Sequence, residues 1–192
     1  LVGGTIPCQQ GIRDINKVRS ACFVYDSEGD EVARYDKIHM FDVDIEDSHG
    51  SYRESDTFEA GDQLVVIDTP VGKVGLTICY DLRFAEMHAK LVDLGAQIIV
   101  NGAAFTRTTG QAHWHTLLRA RAIETQCYML AASHGGQHDH RQTFGHSMII
   151  DPWGEILVEL DEGPGIAVAC IDLDHLKTIR RAFPLQYQRR LK

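Results

Sequence analysis

Three times in this sequence, two β-prone runs face each other across a tight turn. Residues 21–25 and 31–35 flank a polar turn at 26–30. Residues 63–69 and 73–79 flank Pro70-Val71-Gly72, and 147–151 and 155–160 flank Pro152-Trp153-Gly154. Turn residues between β-prone runs are a hairpin signal, and hairpins rule out an all-parallel sheet. Other passages follow a different period. Residues 84–94 have helical spacing and stop at Gly95, a C-cap residue. Residues 113–125 carry Trp114, Leu117, Leu118, Arg121 and Ile123 near a 3.6-residue repeat. The wholly apolar runs 97–100 and 128–133 read as strands buried on both faces. Further strands are expected at 1–6 and 165–171, with a last helix at 174–181 halted by Pro184. The combination predicts an α/β layer structure with a mixed sheet.

Length and charge narrow the function. At 192 residues the chain suits one domain, residues 1–192, with a sizeable core. Its net charge is -8, and the basic residues gather only at the end (Arg180, Arg181, Arg189, Arg190, Lys192). That is no footprint for nucleic acid. No apolar run is long enough to cross a bilayer, so no membrane partner is expected either. Five widely spaced cysteines without a CxxC argue against a disulfide framework or structural zinc. Reduced thiols in the cytoplasm are expected. The sequence opens on an apolar run without an initiating Met, so it is expected to start inside a longer natural chain.

Cys79 ends the apolar run 74–78 and is followed at once by Tyr80-Asp81-Leu82-Arg83 and a helix. A strand-to-helix turn pushes a nucleophile out at the sheet edge, close to backbone N–H donors. Such donors depress a thiol pKa and hold an oxyanion. A buried structural cysteine is an equal reading at this point. Lys37 lies just past the strand 31–35, at the mouth of the long polar stretch 36–62, a length typical of functional loops. Glu54, within that stretch, reads as a surface carboxylate unless the loop folds back over Cys79. Asn101, Ala103 and Arg107 follow the strand 97–100, where ligands gather in open α/β sheets, and are substrate-binding candidates. His134, His138, His140 and His146 crowd one region, but no carboxylate or Cys pattern completes a metal site there. A mobile polar loop at the rim of a site is the preferred reading, with no metal and no cofactor.

Beyond these single residues, whole passages resemble the nitrilase superfamily of carbon–nitrogen hydrolases. They are Arg34-Tyr35-Asp36-Lys37-Ile38-His39, Arg53-Glu54-Ser55, and Gly75 through Cys79 to Phe84. Arg119-Ala120-Arg121-Ala122-Ile123-Glu124-Thr125 and Gly145-His146-Ser147 through Gly154 continue the likeness. Thr109 to Trp114 and Glu124 to Tyr128 look most like the branch containing deaminated glutathione amidase. The resemblance implies a four-layer α-β-β-α sandwich with mixed sheets, its N-terminal elements absent from this sequence, in a dimer or higher homo-oligomer. It also implies Cys79 as nucleophile, Lys37 as its cationic partner, Glu54 as a second glutamate, and the Tyr80 N–H in the oxyanion site. The implied substrate is a small linear amide. The family's first glutamate, the general base, would precede the region matching residues 1–6 and has no counterpart here. That departure keeps open an inactive pseudoenzyme or scaffold. An omega-amidase, carbamoylase or nitrilase of the same superfamily also remains open.

Overall fold

The computed structural model describes residues 1–45, 50–138 and 141–190. Strands β1 (Val2–Cys8), β2 (Arg19–Tyr25) and β3 (Glu31–Asp36) come first. They form an antiparallel sheet in that order. The long polar stretch then folds as a small hairpin of β4 (Asp42–Asp44) and β5 (Ser51–Arg53), running into a 3-10 turn at Glu54–Asp56. Next come β6 (Val66–Thr69), β7 (Gly72–Ile78), a 3-10 turn at Cys79–Arg83, α1 (Ala85–Asp93) and β8 (Ile98–Ala103). Helix α2 (Arg107–Thr125), β9 (Tyr128–Ser133), β10 (Gly135–His138) and β11 (Arg141–Phe144) follow. The chain closes with β12 (Met148–Ile150), β13 (Ile156–Glu159), α3 (Leu173–Ala182) and α4 (Leu185–Gln188).

The main sheet has six strands in the order β13-β12-β9-β8-β7-β6. Its middle strands β7, β8 and β9 are parallel, and the hairpins add antiparallel edges on both sides. The pleat assigns its two faces. A Cβ on Gly75 would touch Leu91 of α1, whereas one on Gly102 would approach Thr5 of β1. Val74, Leu76, Ile78, Ile98 and Val100 share the Gly102 face by register and alternation, so they point at the three-stranded sheet. Gly75, Thr77, Ile99 and Asn101 point at the helices. One core cluster joins Cys22, Val24 and Tyr35 of the small sheet to Leu76 and Ile78. Leu91, Trp114 and Leu118 of the helices belong to the same cluster. The order is therefore helix, sheet, sheet, which supplies three layers of the expected sandwich. Among the described residues, Val2, Ile6 and Val32 of the small sheet remain exposed.

Three expectations need correction. Helix α2 begins at Arg107, six residues before the periodic stretch. The Thr106 hydroxyl caps it by accepting the Thr109 N–H at 3.3 Å. Its first turn is held by a close approach of Gly110 to Phe144 rather than by an apolar stripe. Residues 165–171 form no strand, and Ile166 and Val168 are 88% and 78% exposed. Their β-prone composition meets no partner strand among the described residues, and a strand needs one. The histidine-rich region, expected as a loop, is largely the hairpin β10–β11. Asp139 and His140 of the His138-Asp139-His140 group lie outside the described residues.

Candidate active site

A cavity of about 760 Å³ opens where the three parallel strands end. Ile78 and Cys79 reach it from β7, Gly102 to Thr106 from β8, and Ala132 to His134 from β9. Gly4, Thr5, Ser20 and Lys37 come from the facing sheet, and Glu54 and its neighbours from the folded-back loop. The carboxyl ends of parallel strands are where α/β sheets hold ligands.

Cys79 sits at the start of its 3-10 turn with φ +48°, a left-handed conformation that non-glycine residues rarely adopt. The turn is fastened from behind by Asp81, which is fully buried. Its carboxylate accepts the Tyr35 hydroxyl at 2.6 Å and the Ile78 N–H at 2.9 Å. It also accepts the His39 N–H at 3.1 Å and meets the His39 ring at 2.7 Å. The His39 ring stacks on Phe84 at 3.6 Å. From the helix side, the buried Arg121 guanidinium donates to the carbonyls of Leu82 and Arg83 at 2.9 and 3.1 Å. Those carbonyls end the turn and have few acceptable partners inside the protein. One side chain thus secures the start of the turn and another its end.

Lys37 is 3% exposed. Its ammonium pairs with Glu54 Oε2, which also accepts the Phe41 N–H at 2.6 Å. The loop return that carries Glu54 is tied to the small sheet. Val18 bridges Phe58, Gly61 donates to the Lys37 carbonyl at 2.8 Å, and Arg19 joins Asp36 to Glu59 at 2.9 and 2.7 Å. Burial pushes the Cys79 thiol up from its ordinary pKa. The Lys37 charge and a hydrogen bond from the Ala104 backbone oppose that rise, while the negative charges of Glu54 and Asp81 reinforce it. Of the influences that favour the thiolate, the Lys37 charge is the largest.

Cys79, Lys37, Glu54, Tyr80 and Ala103 all line the cavity, so those sequence candidates meet in one place. Asn101 and Arg107 do not. Asn101 sits on the opposite, helix-facing side of β8, buried, with its amide donating to Thr77 Oγ1 at 2.9 Å. Arg107 pairs with Glu162 away from the cavity lining. Position along β8 explains the first, since the cavity is reached from Gly102 onward, at the carboxyl end of the strand, and Asn101 stops short of it. Four groups were missed. The Ala104 N–H facing the thiol is a backbone group and carries no sequence signal. Arg83 lies over the rings of Tyr80 and Phe105 at 5.7 and 5.3 Å, and Arg141 lies 5.1 Å over Tyr52. Both arginines line the cavity. Asp81 had a readable signal, a carboxylate three residues past a strand end that reaches back to the Ile78 N–H.

The carbon-nitrogen hydrolase family model matches residues 1–181. Deaminated glutathione amidase of Yersinia enterocolitica is 51% identical over 90% of this chain and 61% of its own length. The crystal structure of the Caenorhabditis elegans NitFhit protein superposes with a TM-score of 0.90 at 40% identity, covering 99% of this chain and 46% of that one. A Saccharomyces cerevisiae member of branch 10 of the nitrilase superfamily gives a TM-score of 0.85 at 34% identity, covering 100% of this chain and 66% of that one. The chain thus spans about three fifths of the length of the curated relative it matches. The turn that carries Cys79 lies on a fold shared with these proteins, the family model spans nearly the whole chain, and the chain belongs to the carbon-nitrogen hydrolase family.

Proposed function

We propose that the protein is a cofactor-independent amidase that hydrolyses a small linear amide to a carboxylate and ammonia through a thioester on Cys79. The observation that carries this reading is the Cys79 sulphur presented by a left-handed turn into a cavity beside a buried Lys37–Glu54 pair. Cys79 attacks the amide carbon and forms a tetrahedral intermediate. The Lys37 ammonium and the Tyr80 N–H stabilise the oxyanion, with the Ala104 N–H aimed at the sulphur. Collapse of the intermediate breaks the C–N bond and releases ammonia, whose nitrogen takes up the proton removed from the thiol. Water then splits the thioester to free thiol and carboxylate. Glu54 holds Lys37 in position. In the family pattern the proton is relayed by a glutamate upstream of the stretch matching residues 1–6. That role belongs to the reading of the whole protein.

The substrate class follows from the same cavity. Arg83 and Arg141 line it together with Lys37, which supports an amide substrate carrying a carboxylate. The name of the Yersinia relative, deaminated glutathione amidase, supports that choice over a neutral nitrile. Five free cysteines support a reducing, cytoplasmic setting. Exposed Ile123, Trp153, Ile156 and Leu157 support self-association. Among the described residues no helix is long and apolar enough to cross a membrane.

The test is ammonia release by the full-length protein from a panel of anionic amides, neutral amides, carbamoyl compounds and nitriles. An acyl adduct on Cys79 should appear by intact mass under rapid acid quench. Equal turnover by the Cys79→Ala variant would remove the nucleophile from the scheme, and preference for a nitrile would remove the substrate class.

A further inference from the structure

On the far side of α2, two imidazoles and a carboxylate converge from three separate elements. His115 lies on α2, His146 precedes β12, and Glu159 ends β13. Glu159 Oε1 lies 2.8 Å from His115 Nε2 and 2.7 Å from His146 Nδ1. The three ligand atoms all fall within 4.8 Å of one another. We propose that His115, His146 and Glu159 form a divalent transition-metal site, of the zinc type, that clamps α2 to the β12–β13 hairpin.

Geometry and chemistry both suit a metal at this triad. In a tetrahedral site with bonds of about 2.0–2.1 Å, ligand atoms stand roughly 3.3 Å apart. Each observed contact therefore needs to open by only about half an ångström to admit the ion. Two imidazoles with one carboxylate suit zinc, nickel, copper or iron and not magnesium or calcium. The rings are already oriented. Phe144 stacks on His146 at 4.3 Å and meets His115 edge-on at 6.0 Å. The His146 carbonyl accepts the Trp114 indole N–H at 2.8 Å, which holds the residue at φ +55°. That backbone conformation costs free energy for a non-glycine residue, and it is what turns the imidazole toward Glu159. All three side chains are partly open to solvent, so the ion has an entry path and a place for water in its remaining positions. The site is separate from Cys79, and its existence does not depend on the amidase reading.

The probes are Zn²⁺ by titration calorimetry and Co²⁺ by visible absorption, on the full-length chain. We expect one ion per chain, a tetrahedral or five-coordinate Co²⁺ d–d spectrum without a thiolate charge-transfer band, and a rise in melting temperature with Zn²⁺ but not Mg²⁺. His115→Gln and Glu159→Gln should each weaken Zn²⁺ by more than the roughly 10–100-fold of a lost outer-shell partner. His146→Asn should do the same while its side chain tolerates the left-handed backbone. The control, His138→Gln, should bind as the parent does. A thiolate band, binding that follows His138, or no stoichiometric binding in a chain whose circular dichroism shows it folded would each overturn the proposal.

Discussion

Replacing Cys79 by glycine and, separately, by alanine tests whether the nucleophile turn stores strain. Both substitutions remove the thiol, and they differ in the Cβ. At φ +48° a Cβ costs about 1–2 kcal/mol, which glycine does not incur. Glycine loses more backbone freedom on folding, about 0.5–1 kcal/mol relative to alanine. The difference leaves Cys79→Gly more stable than Cys79→Ala by up to about 1.5 kcal/mol. Two residues earlier, Thr77 lies inside β7, where backbone geometry is ordinary. There the order should reverse, with Thr77→Ala above Thr77→Gly by about 0.5–1 kcal/mol. Urea unfolding followed by the fluorescence of Trp114 and Trp153 gives the four midpoints, and equal slopes validate the comparison. The reasoning fails if glycine is the less stable substitution at residue 79 by as much as at residue 77. In that case the turn relaxes without its cysteine, and the strain is no property of the fold.

Lys37→Met should slow alkylation of Cys79 by iodoacetamide at pH 8 by tenfold or more. The variant removes the cation that opposes burial, leaves Glu54 beside the thiol, and should move the pH–rate profile upward. An unchanged profile would mean that Lys37 does not act on the thiol. Glu59 is held at about 2 by its hydrogen bonds with Arg19 and with the backbone of Arg13 and Asp14. Its folded pKa lies below the ordinary 4.5, so its contribution is present above pH 4.5 and disappears as pH falls through about 2. Acid unfolding of Glu59→Gln should therefore be flatter than that of the parent across this window, and parallel curves would count against the clamp. Gly110→Ala should cost about 1–3 kcal/mol in thermal or urea unfolding, although alanine is the better helix former. Its new Cβ would stand 2.3 Å from Phe144 Cβ. A stabilised variant would show that α2 and β11 can part freely.

The hairpins and the buried parallel strands were legible because their signals are local. Alternation, turn chemistry and unbroken apolar runs locate β2–β3, β6–β7 and β12–β13 without knowledge of their partners. Residues 165–171 carry the same local signal and form no strand, because pairing is a property of two segments. The start of α2 escaped for a related reason. A threonine cap and a glycine packed on Phe144 take the place of an apolar stripe there. At the site, the position of Cys79 between strand and helix left a nucleophile and a buried structural cysteine as equal readings. Lys37 and Glu54 became persuasive only through the family likeness, because two residues 17 positions apart have no local reason to meet.

What brings Lys37 and Glu54 together is the return of the loop onto β2 and β3. That return depends on charges that are individually unremarkable in sequence: Arg19, Asp36 and Glu59. Their ion pairs are partly shielded, and they sit directly beneath the Lys37 backbone, whose carbonyl is held by Gly61. A Cβ on Gly61 would stand 2.3 Å from the Asp36 carbonyl, so the loop reaches the sheet only because residue 61 has no side chain. The proposed chemistry of Cys79 therefore rests on a glycine and an ion-pair cluster outside the cavity. Losing either should separate Glu54 from Lys37 while leaving the nucleophile turn, fastened independently by Asp81 and Arg121, in place.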